Sequence, residues 1–393
     1  MREMKLIFVS EDNHNKFINI KPNSDTFTVT YGRVGSDGST KEYPSYKFDS
    51  YVRSKLNKGY TDITDFVKES DESSEWDIDD SRVKYLVEDL LDKANKNISD
   101  NYIISNNITQ RQIDEVQGLI DSIYSHLRVN DIGSDIDLLN KWFTEIYKVI
   151  PRKMKNTKDY FIQHSIRNKD DYNKVEEMIV NEQQMIDNLK ANVKVTDTKG
   201  TLKLSDFGIE IEVADDKDRD LIRKLTDFRL TNHKVWKVTN KETEANFNPN
   251  KVKTKLLYHG SRTANYWSIL TKGLKIRPSG VPTTGSMFGN GIYAADKARK
   301  SIGYTSLGGS YWANGNDDKA YLCIFEFATG KELNVFKGGK RWDYTMSDLD
   351  EDKVKSKGCD SVFAEGGADL KNNEYIVYNS NQCTIRYIIE IKK

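Results

Sequence analysis

The sequence predicts a multidomain α+β chain. Three observations carry this: short β-rich runs between turn residues near the N-terminus, apolar stripes at helical spacing through the middle, and apolar runs ending in polar residues through the last third. A chain of 393 residues has room for two or three domains and a sizeable core. Its 60 basic and 60 acidic side chains cancel, so overall charge argues for no particular partner.

In order, residues 4–9, 16–21 and 26–31 are β-rich and separated by Asn13, Pro22, Asn23 and Ser24, which predicts an antiparallel meander. A GSDGS turn follows Val34. SYKFDSYVRSKLNKG then places Phe48, Tyr51, Val52 and Leu56 on one helical face, with Gly59 expected as the C-cap. This small module ends near Val67. The run KESDESSEWDIDD over 68–80 carries seven acidic side chains and one lysine, which predicts a solvated linker.

From Val83 to Asn192 the pattern is helical. Val83, Leu86, Val87, Leu90 and Leu91 form one stripe and Ile113, Val116, Ile120, Ile123 and Leu127 a second. Leu138, Leu139, Trp142, Phe143 and Ile146 form a third, and Tyr172, Val175, Met178, Ile179, Met185, Ile186 and Leu189 a fourth. Thr109 with Gln112 has capping-box spacing. The pattern predicts a helical bundle. KVTDTKGTLKLSDFGIEIEVADD then predicts β-structure with charged edges, and strands are expected at 256–259, 291–295, 321–328, 361–365, 374–379 and 384–391.

Three residues stand out in the C-terminal domain. His259 closes LLYH, Tyr293 sits in GNGIYAA and Glu374 opens EYIVY. Singly, each has an ordinary explanation: a satisfied core histidine, a packed tyrosine, a solvated carboxylate at a strand start. Together with neighbouring glycines, hydroxyls and aromatics, they fit a pocket for a flat, polar ring. From Val252 to Lys393 there are 21 Lys/Arg against 15 Asp/Glu, a mild surplus that suits a pyrophosphate. The five histidines and three cysteines show no metal-binding spacing, so no metal is expected. Scattered cysteines fit a reducing compartment. With no apolar run near twenty residues and no signal pattern after Met1-Arg2-Glu3, a soluble, intracellular protein with no membrane partner is expected.

His259-Gly260-Ser261-Arg262, the GxGIY turn from Gly289 to Tyr293, Lys300-Ser301 followed by Tyr304, and the terminal NEYIVY keep an order and spacing that resemble the poly(ADP-ribose) polymerase catalytic domain. The resemblance implies a split-β-sheet ADP-ribosyltransferase fold, with His259, Tyr293 and Glu374 as a triad and NAD+ as donor. It also implies that the Gly260 backbone and the Ser301 hydroxyl hold the nicotinamide carboxamide, an amide that needs both a donor and an acceptor. Tyr293 and Tyr304 would sandwich the ring. His259 would bind a hydroxyl of the adenine-side ribose, and Ser261, Arg262, Ser268, Lys275 and Lys300 fall among the residues lining the dinucleotide site.

Glu374 is the expected catalyst. Cleavage between C1′ and nicotinamide leaves an oxocarbenium-like sugar, and a carboxylate held against the 2′-hydroxyl stabilises that charge. In the family, a glutamate here accompanies chain elongation.

YGRVGSDG resembles the WGR domain, with Tyr31 where tryptophan is usual and Arg33 in place. This implies binding of DNA ends or nicks, with Arg33 linking DNA to the helical region. TQRQIDEVQGLI, YKVIPRKM and QQMIDNL resemble the family's regulatory helical subdomain, in which Asp187 would face the adenosine side of the NAD site. Glu69, Glu72, Glu75 and neighbouring serines of the linker are candidate self-modification acceptors.

The expected architecture is thus a WGR-like module over 1–67, an acidic linker over 68–81, a helical regulatory domain over 82–198 and the catalytic domain over 199–393. The expected activity is DNA-break-activated poly(ADP-ribosyl)ation. Asn372, in place of a tyrosine, and a recast region from Phe336 to Glu365 keep single-unit transfer to protein or nucleic-acid ends as an alternative. A DNA-end-binding adaptor with an inert catalytic domain is another.

Overall fold

The computed structural model describes residues 1–64, 75–102, 108–130, 132–197, 200–226, 233–276 and 287–393. Glu69 and Glu72 lie outside them. The chain forms two compact units, one from residues 1–73 and 95–197 and the other from 74–94 and 198–393.

The first unit begins with β1 (Met4–Ser10), β2 (His14–Pro22), β3 (Thr26–Arg33) and β4 (Ser39–Pro44), followed by α1 (Phe48–Leu56) and β5 (Thr61–Asp62). They build a five-stranded antiparallel sheet in the order β4-β3-β2-β1-β5. Alternation along the strands puts Met4, Leu6, Ile18, Ile20, Phe27 and Val29 in one core, and Phe48 closes it from α1. The predicted meander is present with longer strands. Helix α1 stops sooner than expected: Asn57 is its C-cap, and Gly59, at φ +86°, is the left-handed residue beyond it. The Gly59 amide donates to the Leu56 carbonyl at 2.9 Å, so the glycine finishes the turn after the helix has ended.

β6 (Glu75–Trp76) pairs in parallel with Thr201 and Leu202, and α2 (Ser81–Asn101) follows. The rest of the first unit is helical, with α3 (Gln110–Asn130), α4 (Ile136–Val149) and α5 (Lys169–Asp197). The predicted stripe of α3 is fully buried, whereas Leu138 and Trp142 of α4 are only half-buried. Helix α5 runs to Asp197, so KVTD is helical and not the start of β-structure. Ala191 and Val193 are buried and carry the helical register past Asn192. No helix among the described residues is long and apolar enough to cross a membrane.

The second unit contains β7 (Thr201–Leu202), β8 (Ile209–Val213), α6 (Asp216–Leu225), β9 (Val235–Asn240), α7 (Lys241–Asn246), β10 (Thr254–His259), α8 (Tyr266–Lys272), β11 (Ile292–Ala294), α9 (Ala298–Ile302), β12 (Lys319–Ala328), β13 (Glu332–Asn334), α10 (Glu351–Ser356), β14 (Ser361–Ala364), β15 (Glu374–Val377) and β16 (Cys383–Lys392). β6 pairs with β7. The other strands form two sheets, β10-β12-β16-β9-β8 and β11-β15-β14-β13. Central strands β12 and β16 are near-continuous apolar runs, as burial on both faces demands. Residues 81–94 of α2 belong to this unit: Tyr85 donates to Glu390 at 2.7 Å, and Asp89 accepts from Tyr321 at 2.6 Å.

Candidate active site

Strand β10 is an edge of the first sheet and β11 an edge of the second. The two edges are joined at one residue pair, where Tyr258 and Ala295 exchange backbone hydrogen bonds of 2.8 and 3.0 Å. That junction sets His259, the last residue of β10, beside β11: its Nδ1 lies 2.9 Å from the Tyr293 carbonyl oxygen. A carbonyl can only accept, so Nδ1 carries the proton and Nε2 is left as an acceptor for a hydroxyl. Burial lowers the His259 pKa below its ordinary value, against a smaller opposing effect of that hydrogen bond.

Tyr293 pairs across the sheet with Ile376. Glu374 lies two residues before Ile376 on β15 and therefore on the same face as Tyr293. The Tyr293 hydroxyl donates to the Gly289 carbonyl at 2.7 Å and accepts from the Phe288 amide at 3.1 Å, which locks its ring orientation. The glycines of the turn are sterically required. Gly289 has φ +80°, and a Cβ there would overlap the Leu349 carbonyl. At Gly291 a Cβ would collide with the Ile376 side chain.

Glu374 is 7% exposed and forms an ion pair with the ammonium of Lys300 on α9. The adjacent Asn373 ties this strand start down, donating to Asp296 at 2.7 Å and accepting from the Gly366 amide at 2.8 Å. Ser301, also on α9, is buried and donates from Oγ to the Tyr258 carbonyl at 3.0 Å, so its oxygen can still accept from an amide. Gly260 passes so close to α9 that a Cβ would overlap the Ser301 carbonyl. Only glycine allows this approach. Tyr304 follows one turn later, 40% exposed, and its hydroxyl pKa is pushed up to about 12 by burial first and by the Glu374 carboxylate second. The structure therefore gathers His259, Gly260, Tyr293, Lys300, Ser301, Tyr304 and Glu374 around the meeting edges of the two sheets.

The remaining predicted residues have the following surroundings within their own units. Ser261 accepts at Oγ from Asn265 at 3.1 Å, and its amide donates to the Tyr266 hydroxyl at 3.1 Å. Arg262 is exposed at the start of the next turn. Ser268 is buried within α8, and Lys275 is exposed, with an electrostatic influence on Cys383. Asp187 lies on α5 in the first unit, half-buried, and accepts from Gln183 at 2.9 Å. Tyr31 is half-buried against the N-terminal sheet's core. Arg33 donates to the carbonyls of Met154 and Lys155, each at 2.9 Å. Among the described residues no group of three or more His, Cys, Asp or Glu side chains could hold a metal.

Sequence reasoning singled out Asn372 next door but missed Asn373 and Asp296. It also missed Trp312, whose ring lies near-parallel to that of Tyr304. The signal for Trp312 was an indole in a glycine-rich loop directly after the KSxxY motif, where no core needs it.

Residues 222–393 match the poly(ADP-ribose) polymerase catalytic domain family. The chain is 36% identical over 142 residues to the poly(ADP-ribose) polymerase-like protein 100L of Invertebrate iridescent virus 6, covering 36% of this chain and 72% of that protein. It is 31% identical over 192 residues to protein 101L of the same virus, covering 48% of this chain and 77% of that one. Poly(ADP-ribose) polymerase 2 of Arabidopsis thaliana is 33% identical over 160 residues, covering 35% of this chain but only 24% of the plant protein. The catalytic unit and these matches define an NAD+ ADP-ribosyltransferase. The chain belongs to the poly(ADP-ribose) polymerase family.

Proposed function

We propose that this enzyme is a polymer-forming protein ADP-ribosyltransferase switched on by DNA strand breaks. The proposed division of labour has residues 1–67 sensing DNA, the helical region over 82–198 acting as a brake and 199–393 catalysing. The observation that carries the chemical reading is Glu374: a buried carboxylate at a strand start, pinned by Lys300 and on the same face as Tyr293.

In the proposed pocket the Gly260 backbone and Ser301 hold the nicotinamide carboxamide, Tyr293 and Tyr304 cover the ring, and His259 Nε2 accepts from a ribose hydroxyl. Ser261, Arg262, Ser268 and Lys275 line the remainder. The C1′–N bond breaks with its electron pair leaving on nicotinamide. Glu374 accepts a hydrogen bond from the 2′-hydroxyl as positive charge develops on the sugar, and the acceptor nucleophile then bonds to C1′ and gives up its proton. A second reading, transfer of a single unit, is favoured by Asn372, which is half-buried and whose backbone packs against Gly366 beside the catalytic strand.

Incubation with labelled NAD+, with and without nicked DNA, tests both. DNA-dependent, protein-linked smears on a gel are expected, and Glu374→Gln should abolish elongation by at least about a hundredfold while still binding the donor. Discrete bands from the unsubstituted enzyme would establish single-unit transfer, and smears from Glu374→Gln would remove the role given to the carboxylate.

A further inference from the structure

The loop between α9 and β12 is tightly closed, although glycine-rich. Gly308 donates to the Asp317 carbonyl at 2.6 Å and Asp317 to the Ser306 carbonyl at 3.0 Å, so the two sides of the loop are tied at its base. Nearer the tip, Gly315 donates to the buried Ser310 hydroxyl at 2.8 Å. The Trp312 and Ala313 amides both turn back onto the Gly303 carbonyl, at 2.9 and 3.2 Å. This folding puts the Trp312 ring near-parallel to Tyr304, with ring centres 6.1 Å apart and planes 15° apart. Tyr311 packs edge-on against the same indole at 4.7 Å. A tryptophan 62% exposed and a tyrosine 77% exposed contribute little to a core. Their arrangement calls for another explanation.

Tyr304 sits on a short turn after α9 and is itself partly exposed, and the Trp312 ring lies near-parallel beside it. We infer that Trp312 is a positioning residue for the donor's nicotinamide end: it braces the outer face of Tyr304 so that the inner face is already in place when the flat ring arrives. The brace rests on the reading of Tyr304 as a wall of the nicotinamide pocket. A stacked neighbour restricts the tyrosine before binding and so removes part of the ordering cost that binding would otherwise carry.

The test uses the full chain and benzamide, which keeps the planar ring and carboxamide of nicotinamide but cannot react. Trp312→Ala should weaken benzamide binding by about two- to thirteenfold, the range of an aromatic pair, and raise KM for NAD+ by the same factor. The wall contacts donor and transition state alike, so kcat should change by less than about twofold. Trp312→Phe should recover most of the loss, because a smaller ring can still stack. A structural role alone would instead lower the melting temperature and leave benzamide affinity untouched. Tyr304→Ala is measured alongside. If Tyr304→Ala loses benzamide affinity while Trp312→Ala binds like the unsubstituted chain, the brace is wrong and the pocket stands. If Tyr304→Ala itself binds benzamide unchanged, the pocket reading fails and the brace falls with it.

Discussion

At the scale of single residues, His259 links the site to pH. Its Nδ1–H is committed to the Tyr293 carbonyl, and burial holds its pKa below the ordinary value. The unfolded chain binds that proton near pH 6.5, but the folded chain binds it only at lower pH. Between the two values the unfolded state therefore holds more protons, and stability falls as pH falls through that window. His259→Asn removes the titrating ring. The drop in melting temperature from about pH 7.5 to about pH 5.5, either side of the free-histidine value, should accordingly be smaller in the variant. An identical drop in both proteins would show that this imidazole is not held neutral. The neutral ring also keeps Nε2 available as an acceptor across the same interval, which the ribose contact proposed for it requires.

At the scale of elements, helix α3 shows what local spacing reveals and what it hides. Thr109 and Gln112 form the predicted capping box: the Thr109 amide donates to Gln112 Oε1 at 2.9 Å, and the Gln112 amide to Thr109 Oγ1 at 3.3 Å. Gln112 is also 1% exposed, and its Nε2 donates to the carbonyl of Val149, the last residue of α4, at 2.8 Å. Thr109→Ala should cost about 0.5–2 kcal/mol as a lost cap. Gln112→Ala should cost more, about 1–3 kcal/mol, because it leaves a buried carbonyl without its donor. Urea midpoints at constant slope give both values, and an equal or smaller loss for Gln112→Ala would mean that water replaces the amide.

The box was legible because both residues lie within one turn, whereas the contact with Val149 depends on how two helices pack. The same division runs through the catalytic unit. Apolar runs such as YLCIFEFA predicted the central strands. The GxGIY turn was visible through its resemblance to the family motif, and the structure supplies its reason, since a Cβ at Gly289 or Gly291 would collide with its neighbours. β9, within VWKVTN, went unpredicted because too few residues alternate to set a period. Trp312 could be placed only once the closed loop had carried it back to Tyr304.

At the scale of the first unit, Arg33 and Asn15 tie the N-terminal sheet to the segment after α4. Arg33, the last residue of β3, donates to the carbonyls of Met154 and Lys155, and its NH2 group also donates to Asn13 Oδ1 at 2.9 Å. Buried Asn15 donates to the Arg152 carbonyl at 2.7 Å, so the segment after α4 is held at both ends by the sheet module. The Arg152 side chain points the other way. Its guanidinium is buried in an ion pair with Glu182 on α5 and lies over the rings of Tyr102 and Tyr160, 5.7 and 5.0 Å from their centres.

A displacement of the sheet module would thus be felt by a charged pair that is costly to disturb, since separating it strands a charge away from water. This is the physical content of the proposed relay from DNA to the helical brake. Coupling between sites is usually about 5–150-fold, so Arg33→Ala should cut the ratio of turnover with nicked DNA to turnover without it by at least about fivefold. Arg33→Lys, with one ammonium in place of a fork that reaches two carbonyls, should fall between. Both variants need their affinity for nicked duplex measured directly. Preserved DNA affinity with a reduced ratio would locate the defect in transmission. A proportional fall in both rates, with the ratio intact, would mean that Arg33 supports the fold of this unit and carries no signal.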